Sequence, residues 1–298
     1  MGNATPEVVR NVLDNCSLVV YQTRSISTDR DTGNTVKRGA KTVRETITTF
    51  DASALKAINA EKQRGARLCQ QYGTKLESLA AWVVSNDRVQ ELLEKLNAVK
   101  DKVQVLTEEL ASNIHGLVET FALLNPEQAS QIRELGPKPA DVTDSTRILF
   151  AAYKVRPDDV VEDAGGLSED LQQLHVQALH EFHMSLRDAK ANPAGQYYTQ
   201  QIREVLGRIA DKAESLAFLN PVLAEVGVTV KGYLKDLPTT GGIDGFHAVA
   251  LSSLISQLMD PKALLTNGGF KKVDVVVNDP PPDQGPADNS DSSAPYAW

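Results

Sequence analysis

The chain has 298 residues, 41% hydrophobic and only 5% aromatic, and its 31 Lys and Arg against 39 Asp and Glu leave a formal net charge of −8. Such apolar content excludes a wholly disordered chain, and no run of about 18 apolar residues offers a bilayer span. The acidic balance argues against a protein that coats DNA, and the scarcity of rings fits helices packed through Leu, Val and Ala better than a β-sandwich.

Ser17–Ile26 (SLVVYQTRSI) is β-branched and bounded by polar clusters, which predicts a strand. Thr28–Asn34 (TDRDTGN) is dense in turn residues and joins it to Thr35–Phe50, a Thr-rich, basic segment whose type the pattern leaves open. Asp51 or Ser53 is placed to cap a helix that runs to about Tyr72 and stops at Gly73. A shorter apolar piece, Leu76–Val84, contains Trp82.

Asn86–Asn125 carries the clearest periodicity. Apolar residues at Val89, Leu92, Leu96, Val99, Val103, Leu106 and Leu110 alternate steps of three and four. The rhythm then slips through Ile114, Leu117, Phe121 and Leu124, the pattern of a stutter in a coiled coil. Such a helix is about 60 Å long and must pack on another long helix or a partner chain. Asn125-Pro126 ends it, since proline disfavours helix at the residue before.

Beyond Pro137, Pro139 and Pro157, with a short helix expected within Val142–Val155, Gly165-Gly166 opens a second helical region. Ser168 caps a helix to about Lys190, Ala191-Asn192-Pro193 turns the chain, and Ala194–Asn220 returns as its antiparallel partner. Phe121-Ala-Leu-Leu-Asn-Pro126 recurs loosely as Leu216-Ala-Phe-Leu-Asn-Pro221, either a trace of duplicated hairpins or a repeated helix terminator. A helix over Ile243–Met259 and one more turn from Asp260-Pro261 follow. Phe270–Val277 (FKKVDVVV) reads as a final strand able to pair with Leu18–Ile26. The segment from Asn278, with three consecutive prolines and no basic residue, is expected to be disordered. It is either a solubilising tail or a docking peptide whose contact residues are Tyr296 and Trp298.

The expected fold is therefore mostly α: an elongated helical bundle with long antiparallel helices and a small two-strand element joining the N- and C-terminal ends. Its segments are 1–50 (strand and basic stretch), 51–136 (long helices), 137–167 (Pro/Gly connector with a short helix), 168–277 (second helical hairpin, short helices and terminal strand) and 278–298 (tail). A stuttered stripe closed by proline suits a monomer or weak homodimer.

No catalytic signature emerges. His175, His180 and His183 share one helix, and His180 and His183, three apart, lie on one face where two imidazoles can bind a metal. Glu181 is not in an HExxH position, so a polar helix face is the competing reading and no metal or cofactor is expected. Gly33–Gly39 has loop-like glycines without the Lys-Ser/Thr of a P-loop, and GxSxG is absent. Asp158, Asp159, Glu162 and Asp163 cluster carboxylates with nothing to select an acid/base pair. Cys16 and Cys69 form neither a CxxC nor a disulfide framework. The opening residues lack the basic and apolar regions of a signal peptide, so the cytoplasm is expected.

Arg24, Arg30, Lys37, Arg38, Lys41 and Arg44 are the one basic concentration; with Asp29 and Asp31 the stretch carries net +4. Such asymmetry is compatible with a contact with an acidic protein surface, a contact with nucleic acid, or a plain solvated loop. No ring interleaves the charges, so the stacking platform used on single strands is missing and nucleic acid is not favoured. Lys37, Arg38, Lys41 and Arg44 are the candidate partner-binding residues.

The order of elements resembles a known family: Leu18-Val-Val-Tyr21 before a basic stretch, Tyr72-Gly73-Thr74 closing a helix, a very long helix, Arg147-Ile-Leu-Phe150 in the middle, and Leu-Pro-x-x-x-Gly at Leu237-Pro238. It looks like an uncharacterised family of phages and integrative elements, typically encoded beside MoxR/CobS-like AAA+ ATPases and von Willebrand factor A proteins. The resemblance spans about Ser17–Leu265. It implies a non-enzymatic accessory or adaptor protein of the host cytoplasm, and it carries over no catalytic residue. A phage structural or scaffolding component and a nucleic-acid-binding factor using Arg24–Arg44 are the rivals.

Overall fold

Helix α1 (Glu7–Asn15) runs without a break into strand β1 (Cys16–Arg24), and a two-stranded ribbon follows, β2 (Asp29–Arg38) and β3 (Lys41–Thr48). The Asp51 carboxylate accepts the Ser53 N–H at 2.6 Å and caps the single turn that leads into α2 (Lys56–Tyr72), as expected. Strands β4 (Gly73–Leu76) and β5 (Ala81–Ser85) come next, then the 39-residue helix α3 (Asn86–Leu124). Short helices α4 (Ala129–Leu135) and α5 (Pro139–Ser145) lead to strand β6 (Arg147–Tyr153). The second half is helical: α6 (Leu167–Arg187), α7 (Gln201–Ser215), α8 (Pro221–Asp236), α9 (Gly245–Leu258) and α10 (Pro261–Asn267), with a minimal ribbon of β7 (Tyr197–Tyr198) and β8 (Ile243–Asp244). This computed structural model describes residues 7–38, 41–156, 167–187 and 197–270. Gly39 and Ala40, the Asp158–Asp163 carboxylates, the Ala191–Pro193 turn, the segment from Lys271 and the tail with Tyr296 and Trp298 lie outside the described residues.

The expectation of a helical bundle with one two-strand element is overturned. The first half is built on a four-stranded antiparallel sheet in the order β4-β5-β1-β6. Its alternating side chains sort helices to both faces, as a period of two requires. Leu18 and Val83 pack with Val9, Val12 and Leu13 of α1 and with Leu171 and Leu174 of α6. Val19 and Val84 face the other way, against Cys69 and Tyr72 of α2 and Leu92 and Leu96 of α3. Leu18 and Val19 are paired on both edges, with Val83 and Trp82 on one side and Tyr153 and Ala152 on the other, so the proposed pairing with Phe270–Val277 has no vacant edge there.

Four strands escaped the sequence reading, for three reasons. β4 and β5 are four and five residues long, too short to display a period. β6 replaces the helix expected within Val142–Val155; its apolar run reads equally as strand or helix until β1 supplies an edge. β2 runs through the turn-rich TDRDTGN because that cluster forms a bulge, with Gly33 at φ +79° between Asp31 and Thr35.

The long helix stops where expected, and Asn125 caps it by donating its amide to the Phe121 carbonyl at 2.8 Å. Its stripe is buried at Leu92, Leu96, Val99, Val103 and Leu110, with Leu106 half-buried and Thr107 buried next to it, then follows Ile114, Val118 and Ala122, leaving Leu124 exposed. Asn220 does the opposite job from Asn125: its side chain accepts the Val222 N–H at 2.9 Å and starts α8, with Pro221 at the first helical position. The two Leu-Asn-Pro echoes are thus a stop and a start. The sequence reading placed no helix over Pro221–Asp236, although α8 packs closely along α7. A second core, containing Phe182 and Leu186 of α6 with Leu206, Leu223, Val226, Leu251 and Leu254, unites the helices of this half.

Candidate functional site

The basic residues of the sequence are dispersed by the fold into three settings. Arg24 ends β1 opposite Arg147 of β6. Arg30 pairs with Ile47 near the root of the ribbon, and its Nε and Nη2 are buried without a hydrogen-bond partner. Lys37, Arg38, Lys41 and Arg44 occupy the distal half of the β2–β3 ribbon, which forms an arm.

The root of the arm is firmly held. Ile26, Ile47 and Phe50 are buried in the core that includes Ile58, Val99 and Ile132. The Thr49 N–H and hydroxyl both donate to the Thr28 carbonyl at 2.9 Å, and the Thr48 hydroxyl donates to Asp29 at 2.7 Å. This anchoring matters, because an isolated two-stranded ribbon is marginal in water. The bulge is stitched to β3: the Thr32 hydroxyl and the Asn34 amide donate to the Glu45 carboxylate at 3.1 and 3.3 Å.

Beyond the bulge, Asn34–Lys37 and Thr42–Thr46 are exposed. Register places Arg38 opposite Lys41 and Val36 opposite Val43 on one face, and Lys37 opposite Thr42 and Thr35 opposite Arg44 on the other. Val36 and Val43, 41% and 44% exposed, give the first face an apolar pair. Arg44 reaches back to Asp31 at 3.0 Å, the one salt bridge of the arm among the described residues. The Gly33 backbone N–H, with Arg44 second, holds the Asp31 carboxyl below its ordinary range. The arm thus presents cations and a small apolar patch that no packing requirement of the chain explains.

His180 and His183 line a cleft of about 540 Å³ between α6, the β4 end and the α9–α10 junction. Their rings stack at 5.8 Å between centroids and 18° between planes, and the His183 Nδ1 stands 3.0 Å from the Met259 carbonyl oxygen. Nearly parallel planes aim the ring nitrogens alongside each other rather than at one point. Among the described residues no group of three or more His, Cys, Asp or Glu side chains is arranged to hold a metal ion. The carboxylates of the cleft already serve the chain: Glu77 binds Lys75, Asp170 accepts the Ser78 N–H, and Asp260 caps α10.

A family model described as protein of unknown function (DUF3150) matches residues 31–260, from the bulge of the arm to the cap of α10. The chain belongs to the DUF3150 family. No curated protein and no solved structure matches it. The family match takes in Lys37, Arg38, Lys41, Arg44, His180 and His183, while α1 and β1 precede it and α10 follows it.

Two cationic side chains of this DUF3150 protein are buried where the sequence showed only helix. Lys62 of α2 donates to the Arg24 carbonyl and, at 2.6 Å, to the Ser25 hydroxyl, which ties α2 to the segment entering the arm. Lys212 of α7 donates to the Gln70 carbonyl at 2.6 Å and to the Glu181 carboxylate. Burial lowers the pKa of both, to about 8 for Lys62. Each sits at a buried position of its amphipathic helix, the one available signal; its partners come from distant segments that no local pattern names. Cys16 and Cys69 are buried free thiols whose pKa values burial pushes up to about 12. No helix among the described residues is long and apolar enough to cross a membrane.

Proposed function

We propose that this DUF3150 protein is a non-enzymatic accessory or adaptor of a phage or mobile element, and that its β2–β3 arm binds an acidic surface of another protein. The observation that carries this reading is the arm itself: a ribbon rooted in the core whose outer half exposes Lys37, Arg44 and the Val36–Val43 pair. Arg38 and Lys41, paired across its end, add to the same charge. Charge steers encounter and sets specificity, while the apolar pair supplies area to bury.

A binding role accords with the state of the reactive groups. Thiols held near pKa 12 are protonated at neutral pH and poor nucleophiles. The cleft carboxylates are engaged in capping and ion pairing. In the resemblance drawn from the sequence, the partner is an AAA+ ATPase of the MoxR/CobS kind or a von Willebrand factor A protein, with the DUF3150 chain acting as a monomer or weak homodimer in the host cytoplasm.

The test is co-purification of the full chain with an AAA+ ATPase of the MoxR/CobS kind and with a von Willebrand factor A protein, the partners that the resemblance implies. A variant carrying Lys37→Glu, Arg38→Glu, Lys41→Glu and Arg44→Glu should lose the partner while keeping its thermal midpoint. Undiminished recovery of the partner overturns the reading. Binding of duplex or single-stranded DNA with a steep salt dependence, lost in the same variant, would assign the arm to nucleic acid instead.

A further inference from the structure

We infer that the groove between α2, α6 and α7 is a binding site for a small phosphate monoester. The groove encloses about 280 Å³ and is lined by Arg67, Gln70 and Gln71 of α2, Glu181, Phe182 and Ser185 of α6, and Val205, Arg208, Ile209 and Lys212 of α7. Spacings of three and four along each helix bring these positions to one side of it.

The charge of this groove is unbalanced in a particular way. Its single carboxylate, Glu181, is neutralised by Lys212, which is 6% exposed. The same ammonium donates to the Gln70 carbonyl in the last turn of α2, where backbone acceptors lack helical partners. An ammonium has three protons, so one donor remains. Arg67 and Arg208 are exposed and make no ion pair among the described residues. The groove therefore has two unpaired guanidinium forks and a fixed, buried cation in its lining, together with the Gln71 amide, while the Ser185 hydroxyl already donates to the Glu181 carbonyl at 2.8 Å.

That arrangement matches a doubly charged tetrahedral anion. Guanidinium forks bind phosphate oxygens in pairs, and a monoester carries about −1.5 to −2 at neutral pH, close to the charge the two arginines leave open. Half-buried Val205, with Phe182 and Ile209 almost closed off beneath it, contributes apolar surface that an inorganic ion would leave unused. The volume lies just below the range of about 300–1,000 Å³ usual for organic ligands, enough for a phosphate with one compact apolar group. The larger cleft at His180 differs in kind, since it is lined by three carboxylates with Lys262 as its one Lys or Arg.

The experiment is calorimetric titration of the full chain, at low salt, with phenyl phosphate and separately with inorganic phosphate. Phenyl phosphate should bind saturably and more tightly than inorganic phosphate. Arg67→Gln and Arg208→Gln should each weaken it about tenfold or more, the scale of one lost charge-assisted hydrogen bond. Both positions are exposed, so the thermal midpoint without ligand should not move. Equal affinity for the two probes, unchanged affinity in the double variant, or no saturable heat up to about 10 mM, a limit short of −3 kcal/mol, overturns the assignment. The arm variants should leave this titration unchanged, which separates its outcome from that of the partner-binding test.

Discussion

Tyr21 of β1 lies over Gly65 of α2 so closely that a β-carbon on the glycine would stand 2.2 Å from the tyrosine hydroxyl oxygen and 2.6 Å from its ring. The same hydroxyl donates to the Lys62 carbonyl at 2.9 Å. Helix α2 can therefore approach the sheet at this point only without a side chain. Gly65→Ala should improve helix propensity yet destabilise the protein by about 1–3 kcal/mol through overpacking. Urea unfolding measures it; a midpoint equal to or above that of the native chain would contradict the contact.

Lys62 makes stability depend on alkaline pH. Burial takes its pKa from 10.5 to about 8, so between those values the unfolded chain holds more protons than the folded one. The penalty for burying the charge is fully present below pH 8 and is relieved as pH rises toward 10.5. The stability of the native chain relative to Lys62→Met should accordingly increase across that window. A difference that stays flat from pH 7.5 to 10 would refute a buried ammonium here.

At acid pH the sensitive group is Glu91 of α3. Lys95 donates to it at 2.8 Å, the Tyr72 hydroxyl also donates to it, and Arg88 reaches it at 3.0 Å. Both cations also lie over the Tyr72 ring, Arg88 at 5.0 Å and Lys95 at 4.9 Å from its centroid. Hydrogen bonds from Lys95 and then Tyr72 pull the Glu91 pKa from 4.5 to about 2. A carboxyl whose folded pKa is depressed stabilises above its unfolded value and loses that contribution as pH falls through the folded one. Glu91→Gln should therefore flatten the stability profile between about pH 4.5 and 2, as read by denaturant titrations at stepped pH. An identical profile would show that the cluster is loose in solution.

Lys212 and Glu181 test how α6 and α7 are joined. Both side chains are largely buried, 7% and 18% exposed, and removal of one partner leaves an uncompensated charge. Lys212→Met or Glu181→Leu should each cost up to about 3–5 kcal/mol, whereas the two changes together should restore most of the loss. A double-mutant cycle gives the coupling directly, and strictly additive single effects would count against the pair.

Local signals in the sequence were read correctly where one physical rule acts over a few residues. Asp51, Asn125 and Asp260 cap the ends expected of them, and Leu92, Leu96, Val99, Val103 and Leu110 of the apolar stripe are buried as its spacing requires, with Leu106 half-buried. The ribbon was hidden because Asp31, Thr32, Gly33 and Asn34 belong to a bulge in mid-strand, where turn residues do the same conformational work as in a loop. The basic cluster was legible as charge. That Arg30 turns inward while Lys37 and Arg44 stay exposed depends on strand register, which no count of charges contains. The groove of Arg67, Arg208 and Lys212 was not legible at all, since its residues span three helices and 145 positions of numbering.

Taken alone, the sequence settled the caps and the long helix, because capping, proline geometry and amphipathic period are properties of neighbouring residues. It also established a large apolar content, a separate basic stretch and an acidic tail. Only the tertiary structure decided that β1 is a central strand, since a strand's place in a sheet is set by which distant segments bond to its two edges. Likewise, burial of Lys62 and Lys212 follows from what covers each helix, and what covers a helix is a property of the whole fold. The opening net charge of −8 thus describes no single surface: the fold divides it between an arm with outer cations, a groove with two free arginines and cleft carboxylates already engaged.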